Sequence, residues 1–308
     1  MPLGAGATLR ELSDKRGNDL VAGIMDLVDR LKPIQVSLVG GEPMLRHREL
    51  SRILPQLAGR GIYSMVVTSG ILPIPVEWMS LPRFVAAVSI DGLPEHHDVR
   101  RHPATYERIL ANLKGRRVNI HWTITAQMLA RSGYLEEYVR FWSARPEVRR
   151  IWVSMYSPQR GEQSAERLTA AQREQAAREL PRLRALYPKL TTPRAYAQAL
   201  LYPPASPREC GFSRLSKNYS ADLRTRVEPC VLGGNPDCSQ CGCSAGAATH
   251  WISQIQIAGP LKGKHVMRAS MRIGSAMARL QQVALPAWLE RGQIAARHES
   301  DLVHISMD

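Results

Sequence analysis

Apolar and β-branched residues gather in five short runs along the chain: Ile34 to Val39, Tyr63 to Ser69, Val85 to Ile90, Val118 to Ile124 and Arg150 to Ser157. Each has the length of one buried strand. Between the runs the spacing becomes helical. Leu20, Ile24, Leu27 and Leu31 precede the first run, Leu50, Ile53, Leu54 and Leu57 the second, and Tyr106, Ile109, Leu110 and Leu113 the fourth. Such stripes put their side chains on one face of a helix, and that face must be buried. Strand and helix alternating about every 30 residues predict βαβ units, and so an α/β fold around a parallel sheet with both faces covered.

In sheets of this kind a ligand binds at the carboxyl ends of the strands, where the loops converge. The five runs end in GGEP (40–43), TSG (68–70), SIDG (89–92), Thr123 with Thr125, and Ser154 with Tyr156 and Ser157. All of these ends are small or polar, and together they make a candidate binding edge. Taken alone, Gly40, Gly41 and Pro43 also read as plain loop punctuation at the end of a strand.

Further on, Thr169 to Leu186 is rich in Arg and Glu, with Leu168, Leu180, Leu183 and Leu186 spaced as in a solvated amphipathic helix whose charges need no functional explanation. The Pro-rich LLYPPASPREC (200–210) marks a boundary. Three regions follow: 1–200, the alternating β/α part; 201–250, rich in cysteine; and 251–308, a basic tail with a helix from about Gly263 to Val283. In that tail Met267, Met271, Ile273, Met277 and Leu280 form a stripe read as core, the alternative being a surface for anionic lipid or a peptide. Glu95-His96-His97-Asp98 lacks the i, i+4 histidine pair of zinc hydrolases, and Asp98 or Glu95 is expected to cap the helix through Tyr106.

Composition narrows the classes. The 308 residues are 44% hydrophobic, enough for a real core. Lys and Arg total 41 against 27 Asp and Glu, giving +14 and a pI near 10.0. The excess is mostly Arg, spread from Arg10 to Arg297 without a basic block. Nucleic acid is therefore disfavoured, while anionic small molecules and a peripheral membrane contact stay open. No apolar stretch approaches the roughly eighteen residues of a membrane span, and the first residues lack the apolar core of a secretory signal, so a cytoplasmic location is expected.

Cysteine occurs only at 210, 230, 238, 241 and 243. In a reducing compartment that cluster reads as a metal site before it reads as disulfides. Gly233, Gly234, Pro236 and Gly242 supply tight-turn chemistry around it. Four thiolates suit an iron–sulfur cluster or tetrahedral zinc, the spacing does not separate the two, and one cysteine is left over.

GGEP and SIDG, in that order at βα spacing and followed by PCVLGGNPDCSQCGC, resemble the radical S-adenosylmethionine (radical SAM) family. Residues 18 to 160 resemble its core, and 210 to 243 an auxiliary cluster region of the SPASM or twitch type. The resemblance implies a partial (β/α) barrel that binds SAM through the backbone at Gly40 and Gly41, with Glu42 at the cofactor's ammonium and Pro43 fixing the turn. It implies Ser89 and Asp91 at the ribose hydroxyls, and Thr123 and Tyr156 at ribose and adenine. It further implies an auxiliary [4Fe-4S] cluster among Cys210, Cys230, Cys238, Cys241 and Cys243, an electron donor such as a ferredoxin or flavodoxin, and a peptide, lipid or small-molecule substrate that gives up hydrogen to a 5′-deoxyadenosyl radical. The family's catalytic cluster uses C-x3-C-x2-C ahead of GGEP, and here no cysteine precedes Cys210. The chain thus reads as a member lacking its first strand and cluster loop, expected not to cleave SAM as written. The alternative is a noncatalytic iron–sulfur or zinc scaffold derived from the same fold.

Overall fold

A computed structural model of the protein describes residues 13–267, 269 and 302–306. All five predicted strands form: β1 (Gln35–Val39), β2 (Tyr63–Thr68), β3 (Phe84–Ser89), β4 (Val118–Ile124) and β5 (Val148–Met155). The helical stripes become α1 (Gly17–Leu31), α2 (His47–Gly59) and α4 (Tyr106–Leu113), with α3 (Pro94–Arg101) before α4 and α5 (Tyr134–Ser143) leading into β5. Then come α6 (Ala170–Leu186), α7 (Arg194–Leu201), β6 (Ser216–Tyr219), α8 (Ser244–Gln254) and β7 (Leu302–Ser306). Among the described residues no helix is long and apolar enough to cross a membrane.

The strands lie in the order β5-β4-β3-β2-β1-β7-β6, and every neighbouring pair is parallel. Residues 302–306 thus extend the sheet beside β1, in a tail expected to be helical. A short apolar run next to an unpaired strand edge satisfies its backbone donors and acceptors by joining the ladder. The expected tail helix is helical at 263–267, and nearly all of the rest of it, including Met271, Ile273, Met277 and Leu280, falls outside the described residues.

The two faces of the sheet differ. On β4, Val118, Ile120, Trp122 and Ile124 are fully buried, and Trp122 stacks on Tyr138 of α5 with ring centroids 4.0 Å apart. Alternate residues point the other way. There Asn119, His121 and Thr123 lie in register with Ala87 and Ser89 of β3 and with Trp152 and Ser154 of β5. This second face carries Gln35, Ser37, Met65, His121 and Trp152, several of them half-buried, so it is polar and partly open instead of covered as expected. α5 packs on the apolar face, and the start of α8 meets the polar one through Ser244 with His121 and Ser154.

Candidate functional site

The strand ends meet at one edge, held there by two carboxylates. Gly40 and Gly41 have φ of 85° and 42°, a backbone region that glycine enters without strain. Gly70 of TSG and Gly92 of SIDG, at 78° and 104°, share this left-handed side of φ space, and a Cβ on Gly92 would come within 2.6 Å of the Tyr134 hydroxyl. Glu42 caps the turn after Pro43, accepting from the Met44 N–H at 2.9 Å. It also accepts from the Thr68 hydroxyl at 2.7 Å, the Ser69 N–H at 2.9 Å and the Ser69 hydroxyl. The Glu42 side chain therefore clamps the end of β1 to the end of β2, with four donors around its two oxygens.

Asp91 is clamped in the same manner. It is fully buried and accepts from Thr123 N–H at 2.9 Å, from Arg100 Nε at 2.9 Å and from Arg101 Nε at 2.8 Å. Burial pushes its carboxyl up, but Arg101 and Arg100 outweigh that and hold it well below the usual carboxylate range. Arg100 also pairs with Glu166 and lies over the Tyr156 ring, 5.7 Å from its centroid, while the Tyr156 hydroxyl donates to Glu162. His97 is a core histidine, taking the Asp91 N–H at Nδ1 and donating from Nε2 to the Ala104 carbonyl; burial lowers its pKa. The N-cap of α4 is Thr105, which accepts from Arg108 N–H, while Asp98 takes the first helical N–H, that of Tyr106, at 2.7 Å.

Two predicted residues keep free hydrogen-bonding capacity. Among the described residues, nothing pairs with the hydroxyls of Ser89 and Thr123, both close to the polar face. Glu42 and Asp91, by contrast, have their oxygens engaged by the protein itself. The chemistry open to a ligand at this edge is thus backbone at Gly40 and Gly41 and hydroxyl at Ser89 and Thr123. His121 escaped the sequence reading. It sits between Ser154 Oγ at 2.8 Å and Ser244 Oγ at 3.4 Å, with its pKa lowered by burial. The alternation of Asn119, His121 and Thr123 with Val118, Ile120, Trp122 and Ile124 was the available signal.

The second site is a thiol pocket at the end of β5. All five cysteines are free and line one pocket, together with Leu200 and Phe212 among others. The cysteine segment is stitched onto the strand end: Met155 N–H donates to Gly242 O at 3.0 Å, Gly242 N–H to Ser157 Oγ at 2.7 Å, and Ser244 N–H to Ser154 Oγ at 3.1 Å. Burial, reinforced by neighbouring thiolates, pushes Cys230 up to about 11 and Cys243 up to about 12, and raises Cys238 and Cys241. Among the described residues, no three Cys, His, Asp or Glu side chains converge closely enough to hold one ion in common. The thiols surround the pocket without meeting at a point.

One residue read as plain surface turns out to belong here. Arg173 on α6 is only 4% exposed and donates to the carbonyls of Leu200, Cys241 and Gln240 at 2.5, 2.9 and 3.1 Å. Leu186, expected on the buried stripe, is 67% exposed. The true buried stripe is Arg173, Ala176, Leu180 and Leu183, a helical period that starts on a charge.

Fold and sites together define a parallel α/β protein with a polar strand edge and a cysteine pocket joined to the last strand of that edge. No family model and no curated protein matches the chain. Among solved structures, Streptococcus suis SuiB bound to S-adenosylmethionine is similar at a TM-score of 0.45 and 17% identity, over 56% of this chain and 43% of that one. SuiB bound to its precursor peptide SuiA gives 0.43 and 19%, over 56% and 39%. TYW1 with a lysine-pyruvate adduct bound gives 0.35 and 20%, over 53% and 58%. The chain spans less than two thirds of the length of each.

Proposed function

We propose that this chain is a SAM-binding protein of the radical SAM type, with an auxiliary iron–sulfur site in its cysteine segment. One observation carries the reading: a pocket lined by five thiols is hydrogen-bonded to the end of β5, in the same sheet whose other strands end in GGEP, TSG and SIDG. The residues fit the cofactor with a change of roles. Gly40 and Gly41 offer backbone to its amino-acid end, while Ser89 and Thr123 offer hydroxyls to the ribose. Tyr156 offers its ring near the adenine, and Pro43 sets the turn. Glu42 and Asp91 hold the strand ends that carry these groups. When bound with a reducing cluster, SAM supplies a carbon radical able to take hydrogen from a substrate, whether peptide, lipid or small molecule.

In the cysteine pocket, Cys210, Cys230, Cys238 and Cys241 are the proposed ligands and Cys243 the spare. Cys210 and Cys241 act alike on Cys230, Cys238 and Cys243, and Cys243, the N-cap residue of α8, is assigned as the spare because its backbone is fixed by the start of that helix. A zinc ion needs its sulfurs at about 2.3 Å from one point. A cubane, with an iron at each of four corners, accepts thiols spread around a pocket, as these are.

Anaerobic reconstitution followed by iron, sulfide and zinc analysis, with a SAM titration on the same sample, tests both halves. The expected result is about four irons per chain, abolished in Cys238→Ala with Cys241→Ala and kept in Cys243→Ala, and SAM binding that Gly41→Val removes, with a lowered thermal midpoint because Gly41 sits at positive φ. Stoichiometric zinc without iron moves the pocket to a structural-zinc role. Gly41→Val with a lowered midpoint and unchanged SAM affinity overturns the cofactor reading of GGEP.

A further inference from the structure

Arg173 is a buried cation without a buried anion. Its hydrogen bonds go to three neutral carbonyls, and no carboxylate among the described residues pairs with it. Asp237, whose carboxylate also acts on it, is already bound to Arg167 at 3.0 Å and accepts from Ser239. A guanidinium stays protonated in proteins, so titration offers no escape. Burying an unpaired charge is expensive, and structures that do so place a counter-charge nearby. Among the described residues, the other group whose charge bears on Arg173 is Cys241, a thiol that burial keeps protonated and that becomes a thiolate when it binds a metal. Two of its three carbonyls, Gln240 and Cys241, belong to the cysteine segment, and the third, Leu200, lines the same pocket.

We propose that Arg173 is the counter-charge of the cysteine pocket: a positioning residue that holds the 240–241 backbone in place and whose fixed positive charge favours an anionic metal–thiolate group there, raising its affinity and, for a redox cluster, its reduction potential. This rests on the reading of the pocket as a metal site. Four thiolates around a divalent ion or a cubane carry net negative charge, which is what the buried guanidinium lacks. Adding an electron increases that negative charge, so a nearby cation makes reduction more favourable.

The test compares Arg173→Lys, Arg173→Gln and Arg173→Met with wild type as full chains, in metal-free and metal-loaded forms. Arg173→Gln should retain metal at least tenfold more weakly in competition with a chelator, and its cluster should reduce at a more negative potential. Arg173→Lys should restore the potential largely, since it keeps the charge, while restoring loop order only in part. The thermal midpoint should fall further in the loaded form than in the metal-free form for Arg173→Met, because only the loaded pocket uses the charge. Equal falls in the two forms, or an unchanged potential in a fully loaded Arg173→Gln, would overturn the counter-charge role and leave Arg173 as a loop tie alone. If the pocket takes zinc and no iron, the iron–sulfur reading fails, while the chelator competition repeated with zinc still decides the role of Arg173. If no metal binds wild type at all, both fall.

Discussion

At the scale of single residues, a carboxylate at a strand end has two available fates, and sequence cannot choose between them. Glu42 and Asp91 both sit in motifs where a ligand's ammonium or hydroxyls could meet them, yet each is ringed by donors from the protein: Met44, Thr68 and Ser69 for Glu42, and Thr123, Arg100 and Arg101 for Asp91. The type of residue was legible; its partners, which lie up to 32 positions away, were not. For Asp91 the consequence is a dependence on pH. Its folded carboxyl is held below the ordinary value of about 4, so its contribution to stability is complete above that value and is lost as pH falls towards the depressed one. Asp91→Asn should therefore cost about 3 kcal/mol at neutral pH, because it leaves Arg100 and Arg101 without their shared partner. The difference from wild type should be flat above about pH 5 and shrink below about pH 4. Urea unfolding at several pH values measures it, and a difference that ignores pH would mean that Asp91 acts through shape and not through charge.

Elements were the most legible level, because periodicity is a local property. Each of the five strand runs became a strand, and Leu50, Ile53, Leu54 and Leu57 of α2 are all fully buried. The misreading in α6 has a physical cause: a stripe traced through leucines alone skips a buried arginine, since a charge is buried only when distant carbonyls receive it. The junction between β5 and the cysteine segment is a second feature of this scale. A Cβ on Gly242 would lie 2.1 Å from the Met155 carbonyl oxygen and 2.5 Å from its carbon, both backbone atoms that cannot swing aside. Gly242→Ala should thus break the Met155–Gly242 hydrogen bond, worth about 1 kcal/mol, and push the segment off the strand end. The expected outcome is a large loss of metal retention with little change in the far-ultraviolet circular dichroism of the sheet. Full metal loading in that variant would show that the pocket forms independently of β5.

For the whole molecule, the decisive pairing is the one that no local pattern announces. Residues 302–306 lie between β1 and β6, with Gln35 opposite Leu302 on one side and Ser216 opposite Leu302 on the other. Three segments separated by more than 80 positions each thus share one ladder, and the regions expected at 1–200, 201–250 and 251–308 contribute strands to a single sheet. A pairing of this range is set by the backbone groups left open on β1, which is why the tail's sequence alone read as helical. It also means that the segment carrying Cys210 and Cys230 is tied to the barrel through β7, with Leu223, packed against Gly23 of α1, as a second anchor. Deleting residues 302–308 should remove the first tie and spare the second. Amide exchange at Lys217 to Tyr219 and along β1 should speed up, protection in β3 to β5 should hold, and the thermal midpoint should drop by roughly 4 °C or more, as expected for a loss of about 2 kcal/mol. Metal retention should weaken as well, because Cys210 and Cys230 flank β6 and depend on its position. Unaltered exchange at both β1 and β6 after the deletion would show that the tail strand does not hold the two together, and that the cysteine segment is anchored by Leu223 and the β5 end alone.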